Sequence, residues 1–211
     1  SKGETVYVSP AKSFSDRHIT LQAQHYVPGS DRKKVPLPLA FCRECGQEYH
    51  VVRRCEREDE DHAFYIPRGV QDRFDNDDGE AGYLYISEGA PWPDDPAQVI
   101  DRLPDGWVET RRGKRVIKSS QRKNLPDKVF ISELAVEGSA ESDQVAWWLP
   151  APFKFCLCCS VAYVGRVRSD FGKLATLGSE GRSTATTVMS QAIIRKLRND
   201  DTLGEKAQKL L

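Results

Sequence analysis

The residues of this chain best suited to chemistry are two cysteine pairs that lie far apart in the sequence. Cys42 and Cys45 form one Cys-x-x-Cys pair, and Cys156 and Cys159 form the other. With this spacing, a tight turn can bring two thiolates onto one tetrahedral ion. Two such pairs that face each other would supply four sulfur ligands, which is the ligand set of a structural zinc site.

Both pairs lie within the same local pattern, Phe-Cys-x-x-Cys-small-x-x-Tyr. The first copy occupies residues 41–49 with Gly46 as its small residue, and the second occupies residues 155–163 with Ser160. A small residue after the second cysteine favours a left-handed backbone that turns amides toward sulfur. We expect the flanking Phe and Tyr to begin and close a β-hairpin that covers the site. We call each copy a knuckle.

About 110 residues separate the two pairs, so a shared metal would close a much longer loop than in a compact zinc ribbon. Four cysteine ligands leave no open coordination position, which argues against a catalytic zinc. Free thiols, a disulfide pair and iron bound by the same four sulfurs remain alternatives. Cys158 offers a second register, but only Cys156 reproduces the spacing and flanks of the first knuckle, and Cys55 lies outside both pairs.

Composition limits the classes of protein that the chain can belong to. Its 211 residues are enough for one or two domains, and 31 basic residues balance 31 acidic ones. Zero net charge argues against a nucleic-acid-binding surface built on global charge. No segment approaches the roughly 18 apolar residues of a membrane span, and the N-terminus has no signal-peptide core. We therefore expect a soluble, cytoplasmic protein.

Short runs of β-branched and aromatic residues between turn residues predict an α+β fold that is mainly antiparallel β. The predicted strands lie at residues 5–8, 18–22, 63–66, 82–86, 129–131 and 145–149. Residues 95–100 predict one or two helical turns, and apolar residues at helical spacing between 183 and 197 predict a C-terminal helix. We divide the chain into a zinc-stabilised, β-rich domain, residues 1–172, and a helical segment, residues 173–211.

Two weaker signals concern anions. Residues 111–128 contain eight basic side chains and one acidic side chain, a run that either follows a nucleic-acid backbone or pairs with acidic loops of the same chain. Its candidate contacts are Arg112, Arg115 and Lys118. A Gly-rich segment before the predicted C-terminal helix either holds a phosphate at free amides or forms an ordinary helix cap. Its candidate contacts are Arg182, Ser183 and Thr184.

The chain contains no phosphate-binding loop, because Gly113-Lys114 and Gly172-Lys173 are followed by Arg and Leu rather than by Ser or Thr. No Ser/His/Asp or Cys/His catalytic set emerges from residue spacing. We therefore expect the isolated chain to have no ATPase activity and no catalytic residue.

The two knuckles and residues 173–187 (KLATLGSEGRSTATT) together resemble a group of large bacterial DEAD/DEAH-box helicases of superfamily 2. These helicases carry a cysteine-containing insertion between two RecA-like motor domains, and the resemblance covers most of the chain in the same order. It implies a fragment that begins after the core of the first motor domain and ends just before the first strand motif of the second, with the segment around Gly181, Arg182 and Ser183 at the edge of that second domain. It also implies a parent that binds ATP, magnesium and nucleic acid, DNA rather than RNA.

Our functional expectation is therefore a structural zinc-binding insertion of an ATP-dependent helicase, which holds the geometry between the motor lobes and contacts nucleic acid through its parent. The main alternative is a stand-alone zinc-ribbon-like module that binds nucleic acid or protein. A third interpretation is a scaffold whose zinc and insertion serve protein contacts alone.

Overall fold

The computed structural model describes residues 5–56, 62–74, 79–138, 143–163, 170, 172–177 and 190. Nearly all of them belong to one compact unit, Thr5–Thr176. The strands described there are β1 (Tyr7–Val8), β2 (Ile19–Thr20), β3 (Leu37–Cys42), β4 (Glu48–Cys55), β5 (Phe64–Pro67), β6 (Glu80–Tyr85), β7 (Val108–Arg111), β8 (Lys114–Ile117), β9 (Asp127–Ile131), β10 (Gln144–Pro150) and β11 (Leu174–Ala175). The helices are α1 (Pro96–Arg102) and the 3₁₀ turns Phe14–Asp16, Asp105–Trp107 and Ser119–Asn124.

Nine of these strands form one sheet in the order β2-β1-β3-β4-β6-β10-β9, with β5 beside β4 and β11 beside β3. Strands β7 and β8 form a separate hairpin. Every described strand pair is antiparallel. The prediction of a mainly antiparallel β fold is therefore confirmed.

Both faces of the central strands are buried, which explains the dense apolar runs of β6 and β10. Side chains of a strand alternate between the two faces. Tyr83 and Tyr85 of β6 therefore enter one core cluster, whereas Leu84 and the following Ile86 enter the other. Trp148 of β10 belongs to the second cluster with Leu84.

The first face of the sheet is covered by helix α1, the segments on either side of it, the base of the β7–β8 hairpin and the second knuckle. Their contribution to this cluster includes Trp92, Leu103, Trp107 and Phe155. Helix α1 begins where the carboxylate of Asp95 accepts hydrogen bonds from the amides of Ala97 and Gln98, at 2.7 and 3.3 Å, and Pro96 occupies its first turn. This element confirms the helical turns that the sequence predicted at residues 95–100.

The predicted C-terminal helix lies outside the described residues, apart from Ser190. Residues 172–177 are described, and Leu174 and Ala175 there form β11 instead of helix. Their strand conformation follows from pairing, since Leu174 lies opposite Cys42 and Ala175 lies opposite Phe41 on β3. None of the helices in the described part of the chain has the length and apolar character needed to cross a bilayer.

Candidate metal centre

The first knuckle is the turn that connects β3 to β4. The amide of Cys42 donates to the carbonyl of Gln47 at 2.8 Å, and the amide of Gly46 donates to the carbonyl of Cys42 at 2.8 Å. Gly46 has a φ of 77°, in the left-handed region that favours glycine. The turn therefore takes the backbone conformation that the sequence pattern predicted.

The second knuckle repeats this hydrogen bonding. The amide of Cys156 donates to the carbonyl of Val161 at 3.0 Å, and the amide of Ser160 donates to the carbonyl of Cys156 at 2.9 Å. Ser160 has a φ of 60°, the counterpart of Gly46. Phe155 and Ala162 form the closing β-bridge, as Phe41 and Glu48 do in the first knuckle.

Helix α1 and two tryptophans hold the second knuckle in place. The hydroxyl of Ser160 donates to the carbonyl of Arg102 at 2.6 Å, and the guanidinium of Arg102 donates to the carbonyl of Leu157. The ring of Phe155 lies 4.6 Å from that of Trp107 and 5.7 Å from that of Trp92, measured between centroids. The side chains that precede and follow the cysteines are therefore fixed by packing.

The two knuckles face each other and bring four sulfurs together. The Sγ atoms of Cys42, Cys45, Cys156 and Cys159 all lie within 4.8 Å of one another. Cys42 and Cys159 are separated by 3.9 Å, and Cys45 and Cys156 by 3.7 Å. A tetrahedral ion with metal–sulfur bonds of about 2.3 Å requires sulfur–sulfur edges of about 3.8 Å. The four sulfurs of this four-cysteine cluster therefore lie close enough together to hold a metal ion.

All six cysteines are free thiols, and the distances across the cluster far exceed the roughly 2.05 Å of a disulfide bond. Cys158 lies next to the cluster without joining it, so the second register considered in the sequence is not the one that the structure uses. Cys55 is buried at the end of β4, also outside the cluster.

The cluster has a buried half and an accessible half. Cys42 and Cys156, the first cysteine of each knuckle, are 2% and 0% exposed. Cys45 is exposed, and Cys159 is half-buried. Each buried sulfur contacts a tyrosine hydroxyl: that of Tyr49 lies 3.2 Å from Cys156, and that of Tyr163 lies 3.6 Å from Cys42.

The protonation of the metal-free thiols favours a cation at this position. The neighbouring Cys156 thiol, followed by the Tyr163 hydroxyl, lowers the pKa of Cys42 to about 4. The same proximity to Cys42, together with burial, raises the pKa of Cys156. Burial raises the pKa of Cys45 to about 12. The thiolates of Cys45 and Cys156 are therefore favoured when a positive ion compensates their charge, as thiolate–metal sites require.

Four sulfur donors and no open position suit a structural ion, because a catalytic metal needs a vacant site for water or substrate. The donor set fits both zinc and iron, since both bind four thiolates tetrahedrally. The two cross-knuckle tyrosine contacts were missed by sequence reasoning, which assigned the tyrosines to closing the hairpins. The sequence signal for these contacts was the tyrosine that ends both copies of the pattern, Tyr49 and Tyr163.

The structure places the candidate nucleic-acid contacts on the β7–β8 hairpin and its base. Arg112 occupies the two-residue turn with Gly113, at φ values of 50° and 76°. Arg115 pairs with Asp101 at 2.6 Å, and the ammonium of Lys118 donates to the carbonyl of Gly106 at 2.6 Å. The candidates Arg182, Ser183 and Thr184 lie outside the described residues.

Comparison of the chain with protein-family models, with curated proteins and with solved structures found no match in any of the three. The resemblance to superfamily 2 helicases therefore rests on the motifs of the chain itself.

Proposed function

We propose that the four cysteines bind one structural zinc ion, and that the unit is a zinc-stabilised insertion domain of an ATP-dependent superfamily 2 helicase. The observation that carries the zinc assignment is the convergence of Cys42, Cys45, Cys156 and Cys159 with the edge lengths of a tetrahedral site. Zinc is favoured over iron as the ordinary partner of closed four-cysteine structural sites. Free thiols throughout fit a reducing compartment, which supports a cytoplasmic location.

The physical role of the ion would be to fix the two knuckles at the root of the unit. The knuckles are about 110 residues apart in sequence, and the chain between them contains most of the sheet. Cross-linking such a loop removes conformational freedom mainly from the unfolded chain, and this effect grows only slowly with loop length. The ion therefore stabilises the folded unit without contributing to chemistry.

The path of the chain supports an insertion into another domain. Strand β1 leads into the unit and β11 leads out of it, and both pair with β3. The amide of Leu39 on β3 donates to the carbonyl of Val6 at 2.8 Å, and Ala175 lies opposite Phe41, two residues further along β3. Two residues of a strand span about 7 Å. A unit whose incoming and outgoing segments lie this close can occupy a loop of a host domain.

In the helicase proposal, this chain is one part of a larger parent protein. The parent would supply the ATP and magnesium sites and the translocation on nucleic acid, while the insertion maintains the geometry between its motor lobes. A stand-alone zinc-ribbon-like module that binds nucleic acid or protein is the competing proposal. The sequence that flanks this chain in its gene discriminates between them. A phosphate-loop lysine upstream and an arginine-finger motif downstream support the helicase, whereas magnesium-dependent ATP turnover by the isolated chain would contradict the fragment interpretation.

Elemental analysis of the purified chain tests the zinc assignment. We expect one zinc per chain in the wild type, none in C42S/C159S, and one in C158S, which changes the adjacent thiol outside the cluster. If the purified chain contains one equivalent of iron and no zinc, the proposed structural ion is iron. A metal-free wild type, or equal loss of metal from C158S and C42S/C159S, would refute the four-cysteine site.

A further inference from the structure

The last residue of each knuckle extends to the other knuckle. Tyr49 ends the first, and its hydroxyl lies 3.2 Å from the sulfur of Cys156 in the second. Tyr163 ends the second, and its hydroxyl lies 3.6 Å from the sulfur of Cys42 in the first. The contacts are equivalent, because each joins the terminal tyrosine of one copy of the pattern to the first cysteine of the other.

The hydrogen bonds around Tyr49 fix the direction of its hydroxyl. The amide of Leu157 donates to the Tyr49 oxygen at 2.8 Å, so this oxygen already acts as an acceptor. A phenol carries one proton, which is then available for the sulfur of Cys156. The hydroxyl of Tyr163 has two acceptors within reach, the Cys42 sulfur at 3.6 Å and the Lys173 carbonyl at 3.5 Å. A charged thiolate is the stronger acceptor of the two.

The two thiols that receive these contacts are the ones that water does not reach. Cys42 and Cys156 are buried, whereas Cys45 is exposed and Cys159 is half-buried. A buried thiolate needs a donor from the protein, because burying an unpartnered charge is costly. The tyrosines supply donors to these two sulfurs, and solvent can serve the other two.

We propose that Tyr49 and Tyr163 are reciprocal positioning residues of the metal centre, each donating a hydrogen bond to the buried thiolate of the opposite knuckle. This inference rests on the proposed metal site. Donors in the outer coordination shell commonly change metal affinity by 10–100-fold when they are removed. Because each knuckle completes the surroundings of the other, neither provides a fully supported pair of ligands on its own.

The test compares Y163F with Y85F in the 211-residue chain. Y163F removes a hydroxyl that contacts a sulfur, whereas the hydroxyl of Tyr85 donates to the carbonyl of Ala90. We expect Y163F to lower zinc affinity at least tenfold in a chelator competition, and Y85F to leave it unchanged. In the cobalt-substituted protein, Y163F should move the sulfur-to-cobalt charge-transfer band to longer wavelength, since a thiolate that loses a donor gives up electrons more readily.

A second readout separates positioning from general stability. Among the four cysteines of the cluster, treatment of the zinc-loaded protein with iodoacetamide should alkylate Cys45 first in the wild type, and should modify Cys42 earlier in Y163F than in Y85F. Y49F should expose Cys156 in the same way, although it also leaves the Leu157 amide without its acceptor, so Y163F is the cleaner variant. If Y163F matches Y85F in affinity, cobalt spectrum and alkylation order, the inference is wrong while the metal site stands. Absence of metal from the wild type would instead remove the proposed function.

Discussion

Leu174 of β11 lies directly opposite Cys42 of the four-cysteine cluster in the pairing of β11 with β3. The amide of Arg43, within the same knuckle, donates to the carbonyl of Lys173 at 3.3 Å. The outgoing strand of the unit is therefore bonded to the turn that carries two of the four thiols. We therefore expect a change in that turn to affect residues 172–177, which lead out of the unit.

Removal of the metal should loosen this outgoing strand. Without an ion, the two knuckles lose their link and the first knuckle can open, which weakens the β3–β11 pairing. We expect hydrogen exchange at residues 172–177 to accelerate at least tenfold after chelation. Strand β10 is paired on both sides, with β6 and β9, away from β11, and serves as the internal control, with protection that changes much less. Equal acceleration in β10 and β11 would indicate global unfolding, and unchanged exchange in both would contradict the coupling.

The double substitution C42S/C159S should lower the free energy of unfolding by several kcal/mol, because a structural metal contributes its binding energy to folding. Chemical denaturation measures this difference. The wild type in excess chelator should fall to nearly the same stability as the variant, since both then lack the ion. C158S is the matched control and should retain most of the wild-type stability. A variant as stable as the metal-loaded wild type would argue that the cluster carries no structural ion.

Asp170 and Lys173 form an ion pair in the interior that links the outgoing segment to β6 and to the segment before the second knuckle. Their side chains are 0% and 8% exposed and lie 2.8 Å apart. Asp170 also accepts from the hydroxyl of Tyr83 and from the amide of Phe153, each at 2.6 Å, and Lys173 donates to the carbonyl of Phe153 at 2.7 Å. The pair therefore satisfies buried polar groups of β6 and of the segment before the second knuckle.

Breaking this pair should be more harmful than removing both charges. D170N leaves the Lys173 ammonium buried without a counter-charge, and we expect it to cost about 3–5 kcal/mol in unfolding free energy. K173M alone should cost a similar amount, because it leaves the Asp170 carboxylate uncompensated. The double variant D170N/K173M should recover part of the loss. Additive losses in a denaturant-based double-mutant cycle would show that the two side chains act independently.

His50 should make the fold less stable in mild acid. Its side chain is 2% exposed, and burial, followed by the positive charge of Arg17, lowers its pKa to about 3. Between pH 6.5 and 3 the unfolded chain binds a proton at this residue and the folded chain does not. Stability from His50 is therefore complete above pH 6.5 and is lost as the pH falls. From pH 7.5 to 5.5 the loss is about 1.4 kcal/mol.

H50Q isolates this effect from the protonation of the cysteines, because both proteins carry the same cluster. Denaturation at pH 7.5 and pH 5.5 should show a smaller decrease in stability for H50Q than for the wild type. The comparison uses the decrease in unfolding free energy from pH 7.5 to pH 5.5 in each protein. Any stability that H50Q loses at neutral pH therefore cancels. Identical pH dependence in both proteins would mean that His50 takes up protons equally in the folded and unfolded chains.

The knuckles were predictable from sequence because their structure is local. A cysteine turn with a left-handed residue at Gly46 or Ser160 is specified by nearby residues. The strands β6, β9 and β10 were predictable for a similar reason, since their apolar runs are dense. The order of the strands in the sheet was not, because pairing of β4 with β6 and of β6 with β10 depends on packing between distant segments.

The β7–β8 hairpin was missed because its sequence lacks an apolar face of the usual length. Only Val108 and Ile117, which pair at its base, pack against the core. The remaining positions are mostly charged, so residues 111–128 were interpreted as a basic run without a strand. Turn residues Arg112 and Gly113 were the local signal, since both adopt the positive φ angles of a two-residue hairpin turn.

The charges of this basic run divide into paired and unpaired groups. Three of them pair with carboxylates of the unit: Arg111 with Glu109, Arg115 with Asp101, and Lys128 with Asp94. The cations without an ion-pair partner among the described residues are Arg112, Lys114, Lys118, Arg122, Lys123 and, beside the run, Lys154. Lys123 and Lys154 border a cleft of about 180 Å³ with Asn124. We call these six residues the basic surface.

If the basic surface contacts a nucleic-acid backbone, charge reversal there should weaken binding in a salt-dependent way. R112E/K123E should reduce the affinity for a single-stranded DNA oligonucleotide at least tenfold at low salt. It should also lower the slope of log affinity against log salt by about 1.4, because each lost phosphate contact on a single strand contributes about 0.7. Fluorescence anisotropy across a salt series measures both quantities, and the same RNA sequence should bind less tightly.

The matched control is R32E/K33E, which reverses two exposed cations in the loop after β2 and gives the same net charge. It should leave both affinity and salt slope close to wild type. If both double variants weaken nucleic-acid binding equally, binding responds to net charge and not to a contact surface. If the wild type binds neither nucleic acid but binds an acidic peptide in a salt-sensitive way, the basic surface serves protein contacts. Cations that contact phosphates would also bind the polyanionic backbone of a nucleic acid.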